Sequence, residues 1–72
     1  MKSYIEYNGK YYYVSSCFTL DHGYETMIFH CDDKGNVLDW GDLYAEWYET
    51  AEEMNAGHER IITHLDEYIG EA

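Results

Sequence analysis

Proline is absent from this 72-residue chain, lysine and arginine together number four, and cysteine occurs twice. Without proline there is no Pro-rich linker, and no internal repeat or low-complexity stretch divides the chain, so residues 1–72 read as a single domain. No apolar run approaches the ~18 residues of a membrane span, and the opening Met1-Lys2-Ser3-Tyr4 lacks the apolar segment of a secretory signal. The expected setting is cytoplasmic, away from membranes, where Cys17 and Cys31 stay reduced and form no disulfide. Against the few basic residues stand 15 Asp and Glu, for a formal net charge of -11. Such a charge repels nucleic acid and anionic lipid alike. A partner reached through charge has to be basic.

What is present is apolar and aromatic. Hydrophobic residues make up 46% and aromatics 18%, with nine Tyr, which excludes the weakly hydrophobic composition of a disordered chain. One small core buries little surface at this length, and that rules out most enzymes. No nucleophile elbow, phosphate-cradling glycine loop or HExxH motif is present, and the carboxylates around Cys17 and Cys31 raise a thiol pKa rather than lower it. The chain is expected not to be an enzyme.

Tyr4-Ile5-Glu6-Tyr7 and Lys10-Tyr11-Tyr12-Tyr13-Val14 flank Asn8-Gly9, a dipeptide suited to a two-residue hairpin turn. The second strand continues through Phe18, and a turn at Leu20-Asp21-His22-Gly23 leads into a third strand, Glu25 to Cys31. Asp32-Asp33-Lys34-Gly35-Asn36 is a turn by composition. Val37 to Trp40 reads as a short fourth extended piece. Leu43 to Tyr48 reads as a fifth strand; in the alternative, residues 40–48 are helical and the sheet has three strands. Thr50-Ala51-Glu52-Glu53 is a capping box, with the Thr50 hydroxyl accepting from the Glu53 amide and the Glu53 carboxylate returning to the Thr50 amide. Met54, His58, Ile61 and Leu65 then follow on one helical face, Ala51, Ile62 and Ile69 flank it, and Gly57 permits close approach to the sheet. The expected fold is α+β: an antiparallel sheet of four to five strands with one C-terminal helix, residues 51–69, packed on one face.

A two-residue loop at Asn8-Gly9 pairs Ile5 with Tyr12, so Ile5, Tyr12, Val14 and Phe18 point toward the helix. A turn centred near Asp21-His22 sets Phe18 beside Glu25 and Val14 beside Phe29, adding Met27, Phe29 and Cys31 to that inner face. Tyr4, Tyr11, Tyr13, Cys17, Ile28 and His30 then form an aromatic outer face without a second helix.

Two candidate sites follow. Cys31 and His58, on the inward faces of sheet and helix, converge as ligands for a structural zinc, completed by His30 and by Asp32 or Asp33; His30 joins only if the strand ends or bulges there. Cys17 lies on the order of 16 Å from Cys31 along the hairpin and does not share that metal. The spacing matches no zinc-finger pattern, and the plainer reading makes Cys31 and His58 core residues, the imidazole bonded to a carbonyl. The second candidate is a one-sign stretch. Between Gly35 and Glu59 there is no Lys or Arg, while Asp39, Asp42, Glu46, Glu49, Glu52, Glu53 and Glu59 recur at near-regular intervals. Tyr44, Trp47 and Tyr48 interleave with them as interface anchors. Tyr44, Glu46, Trp47, Glu49, Glu52 and Glu53 are the candidate partner contacts; the plainer reading is a solvated acidic face.

Glu25-Thr26-Met27-Ile28-Phe29, Cys31, Gly35-Asn36-Val37, Asp39-Trp40, Tyr48-x-Thr50-x-Glu52-Glu53 and Gly57-His58 together resemble a group of small acidic proteins of phages and prophages of Gram-positive bacteria. The resemblance covers residues 24–65, and its functional association is with type II anti-CRISPR proteins, one of which, from a streptococcal prophage, contains zinc. It implies a stoichiometric inhibitor in the host cytoplasm. Such a protein binds the basic surface of the RNA-guided nuclease, without touching nucleic acid itself, and keeps target DNA from loading. It implies a bound zinc as well; the expected state of the chain is a monomer or weak dimer. The alternative is a small phage adaptor or structural protein that self-associates or docks through its Tyr-rich sheet face.

Overall fold

A computed structural model describes residues 1–70. Four strands, β1 (Lys2–Tyr7), β2 (Lys10–Thr19), β3 (Gly23–Cys31) and β4 (Tyr44–Tyr48), form one antiparallel sheet in the order β1-β2-β3-β4. Helix α1 (Ala51–Thr63) and a single turn α2 (Leu65–Tyr68) follow. The α+β architecture expected from the sequence is the one observed.

Asn8 and Gly9 take φ of 52° and 78° and make the tight β1–β2 hairpin, with Tyr7 opposite Lys10 and Ile5 opposite Tyr12. The next turn differs from expectation. Thr19 pairs with Gly23, so the connection is the three residues Leu20 to His22, closed by the His22 amide donating to Thr19 Oγ1 at 3.1 Å. Gly23, which follows the loop and opens β3, takes the left-handed conformation, φ 73°, that glycine adopts without steric cost. Phe18 therefore faces Tyr24, and Val14 faces Ile28.

This one-residue shift exchanges the faces of β3. Thr26, Ile28 and His30 lie on the helix side with Tyr12, Val14 and Ser16, whereas Glu25, Met27, Phe29 and Cys31 join Tyr11, Tyr13 and Cys17 on the outer side. The expected inner positions of Met27, Phe29 and Cys31, and the expected outer positions of Ile28 and His30, are thereby corrected. Phe18 is on the helix side, as expected, yet 56% exposed, in ring contact with Tyr24.

Val37 makes one isolated bridge to Cys31 in place of the expected fourth extended piece, Val37 to Trp40, and β4 is a strand where the alternative had a helix. The Thr50 hydroxyl caps α1 by accepting from the Glu53 amide at 3.1 Å. It also donates to the Glu53 carboxylate at 3.1 Å, in place of the expected return bond to the Thr50 amide. The helix is broken at His64, with φ -131° and ψ 41°, instead of running unbroken to residue 69.

The inner core joins Tyr12, Val14, Ile28, Ile61 and Leu65, with Ile5, Tyr7, Tyr44 and Ile69 packed around it. Each fully buried aliphatic side chain contributes roughly 1.5–3 kcal/mol. At Gly57 α1 lies close against β4: a Cβ there would overlap the Tyr48 ring and hydroxyl. A smaller outer cluster of Tyr13, Phe29 and Cys31 is supported by Tyr11, Met27 and Val37. Among the described residues no helix is long and apolar enough to cross a membrane.

Candidate functional site

The expected zinc corner is not assembled. Cys31, opposite Tyr11, is buried on the outer side, whereas His58 is buried between helix and sheet on the inner side. His30 shares the side of His58 but belongs to a different contact, its ring 5.3 Å from that of Tyr12. Asp32 spends its carboxylate on its own turn: Oδ1 accepts from the amides of Lys34 and Asn36, each at 2.9 Å, and Oδ2 from the Asn36 side chain at 3.1 Å. Those hydrogen bonds, led by the Asn36 amide, hold its pKa below the ordinary carboxylate value. Asp33 is exposed in the same turn. Burial first, and then the Asp32 carboxylate, push the Cys31 thiol pKa up. Among the described residues no three His, Cys, Asp or Glu side chains are grouped to hold a metal ion.

His58 instead anchors a polar chain inside the core. Its Nδ1 is 2.6 Å from Ser16 Oγ, its Nε2 is 2.8 Å from Ser3 Oγ, and Ser16 Oγ is 2.5 Å from Thr26 Oγ1. The hydroxyls do what the sequence reading assigned to a carbonyl. Burial, followed by the positive amino terminus, lowers the His58 pKa against a smaller opposing effect of Glu59. A neutral imidazole held by hydroxyls satisfies its hydrogen bonds without burying a charge.

The expected partner residues divide between two faces. Tyr44, Glu46 and Tyr48 alternate toward the helix, and Trp47 points to the outer side. Glu46 is not a free acid: Arg60 reaches back from α1 to pair with it, the Tyr44 hydroxyl donates to it at 2.6 Å, and Arg60 Nε donates to the Tyr68 hydroxyl at 2.9 Å. Burial raises the Glu46 pKa, but the hydrogen bonds from Tyr44 and Arg60, together with the nearby Tyr48 hydroxyl, outweigh it and the net shift is downward. The Tyr44 phenol is pushed up to about 12, first by its hydrogen bond to Glu46. These contacts tie the edge strand to the helix. Glu49, Glu52 and Glu53 stand exposed where β4 passes into α1, and Trp47 is 55% exposed.

The outer face carries an aromatic row that crosses the sheet. Tyr4 stacks on Tyr13 at 5.1 Å, Tyr13 lies 6.1 Å from Phe29, and Trp40 meets Phe29 edge-on at 5.2 Å. Gly35, with φ 85°, lets the Tyr4 ring pack directly on the Asp32–Asn36 turn, since a Cβ there would sit 2.9 Å from that ring. Tyr4 and Trp40 remain 57% and 70% exposed. Beside Trp40 the face sinks into a groove lined by Tyr13, Cys17, Glu25, Met27 and Phe29. Of these lining residues Glu25 is buried, 7% exposed, and its Oε2 accepts from the Trp47 indole at 3.0 Å. The sequence reading missed Glu25 because the slipped register set it beside Phe18 on the helix side, whereas it lies on the outer side between Cys17 and Trp47.

No known protein family matches the chain, and no characterised protein or solved structure is significantly similar to it.

Proposed function

We propose that this chain acts by stoichiometric binding, without turnover, against a basic protein surface. In the reading that the sequence resemblance implies, that surface belongs to a type II RNA-guided DNA nuclease, inside the host bacterium, and otherwise receives nucleic acid. The observation that supports the reading is the band of exposed Asp39, Trp40, Asp42, Trp47, Glu49, Glu52 and Glu53, a stretch of sequence that contains no lysine or arginine. Aromatic side chains supply buried area at an interface, and the surrounding carboxylates steer a basic partner toward it. Tyr44 and Glu46 belong to this proposal only as supports that hold β4 against α1. A zinc, if carried, needs ligands other than Cys31 together with His58.

The test is inhibition of target cleavage by the purified nuclease over a series of salt concentrations. Affinity is expected to fall steeply as salt rises from about 50 to about 300 mM, and Glu49→Gln with Glu52→Gln is expected to weaken binding at low salt. Absence of binding at low salt overturns the assignment to this nuclease.

A second reading is favoured by the exposed Tyr4 stacked on Tyr13. Here the chain is a small adaptor that self-associates or docks through its Tyr-rich face. Sedimentation that reveals a dimer insensitive to salt, and lost in Tyr4→Ala, selects this reading over the first.

A further inference from the structure

We infer that the groove beside Trp40 receives one arginine side chain of a basic protein partner, with Glu25 as the group that pairs with it. The inference rests on the binding reading above and names its anchor. Glu25 carries the argument. It is a carboxylate with 7% exposure, its hydrogen bond is to the neutral Trp47 indole, and among the described residues it makes no ion pair. Folds rarely leave a buried carboxylate without a cation, because the desolvation cost is large unless an opposite charge or several donors offset it.

The surroundings fit a guanidinium. The groove has a volume of about 180 Å³, enough for the head of one side chain, and the rings of Tyr13, Phe29 and Trp40 line it. Aromatic faces attract cations. Between the two basic side chains, arginine suits the site better: its planar head stacks on rings, its donors are forked, and it gives up water more readily than an ammonium group. The net charge of -11 draws such a partner in, and Asp39 and Asp42 stand exposed in the segment that carries Trp40.

A second copy of the chain does not supply this arginine. The chain has one, Arg60, and it is held by Glu46 and Tyr68 at the helix side of β4. The occupant is therefore a residue of a different protein.

The experiment uses the intact chain and three capped tripeptides, Gly-Arg-Gly, Gly-Lys-Gly and Gly-citrulline-Gly, the last a neutral isostere of arginine. The readout is the indole N–H resonances of Trp40 and Trp47 at low salt. The arginine peptide is expected to shift both resonances saturably, the lysine peptide to bind at least about fivefold more weakly, and citrulline to leave them unmoved. Glu25→Gln is expected to weaken the arginine peptide at least about tenfold. Should Glu25→Gln fail to fold, Trp40→Ala, at a 70% exposed position, replaces it, read from the Trp47 indole with the same expected loss. Equal binding of citrulline or lysine, or unchanged affinity in the folded variant, overturns the inference. No nuclease enters these titrations, so arginine binding with no nuclease inhibition leaves the groove standing and removes only the assigned partner.

Discussion

Ser16 in the middle of β2 and His58 in the middle of α1 are joined at 2.6 Å, hydroxyl oxygen to Nδ1, inside the core. Ser16 also meets Thr26, which is fully buried on the neighbouring strand, so one hydroxyl links two strands and the helix. Ser16→Ala removes that link and leaves both His58 Nδ1 and Thr26 Oγ1 short of a partner away from water. A loss of about 1–3 kcal/mol is expected, measured as a lower urea midpoint with the m-value unchanged. Ser16→Thr, which keeps the hydroxyl, is expected to fall between the two.

Gly57 is expected to resist replacement even by the best helix former. In an exposed helix Gly→Ala stabilises by about 1 kcal/mol. Here the added Cβ would lie 2.5 Å from Cε1 and 2.6 Å from Cζ of Tyr48. The Tyr48 hydroxyl is itself buried without a well-formed hydrogen bond, near Glu46 and Thr26. Helix and β4 must separate to admit the methyl group, and Gly57→Ala should cost a net amount of about 1–3 kcal/mol. Calorimetry of Gly57→Ala, Tyr48→Ala and the double variant checks this: the double variant should be more stable than the sum of the single losses implies.

How far the sequence carries depends on which residues state their geometry locally. Asn8-Gly9 names its turn, Thr50 and Glu53 name a helix start, and Met54, His58, Ile61 and Leu65 name a buried face; each of these holds in the fold. β3 does not declare its register in the same way, because Met27-Ile28-Phe29 is apolar on both alternations. The usable signal lay in the turn. Asp21 and His22 are ordinary residues with negative φ, whereas Gly23 takes the positive φ of a three-residue loop. A two-residue loop at Asp21-His22 asks the wrong residues to adopt the left-handed conformation. That single slip moved Cys31 to the wrong face, created the zinc pair and hid Glu25. The contact of Arg60 with Glu46 spans 14 residues, and nothing local announces it.

Acid is expected to weaken the fold through His58 before the carboxylates respond. Its folded pKa lies below the ordinary 6.5, so the unfolded chain takes up a proton that the folded chain refuses. The stabilisation is complete above about pH 6.5 and is lost as pH falls through the folded value. Between pH 7 and pH 5 the urea midpoint should drop. His58→Gln, which retains hydrogen-bonding groups but no titrating ring, should lower stability at pH 7 and flatten the slope over this interval. An equal slope in both proteins over this interval would show that His58 does not carry the acid sensitivity, since Glu46 and Asp32, with their lowered pKa values, respond only below about pH 5.

Zinc content is expected to be independent of the pair Cys31 and His58. The two lie on opposite sides of the sheet, and the residues flanking each are already committed, Asp32 to its turn and Ser3 and Ser16 to the imidazole. Only a one-residue slip of β3 would bring the thiol to the helix side, at the cost of turning Ile28, which is fully buried, out of the inner core. Metal analysis of the untagged parent, Cys31→Ser and His58→Gln should therefore return one common value. Cobalt added to the parent should give no thiolate charge-transfer band that both substitutions abolish. Loss of a full equivalent of zinc in each variant, with both still folded, would show that β3 pairs in the other register. It would also move Glu25 out of the groove and remove the basis for an arginine site there.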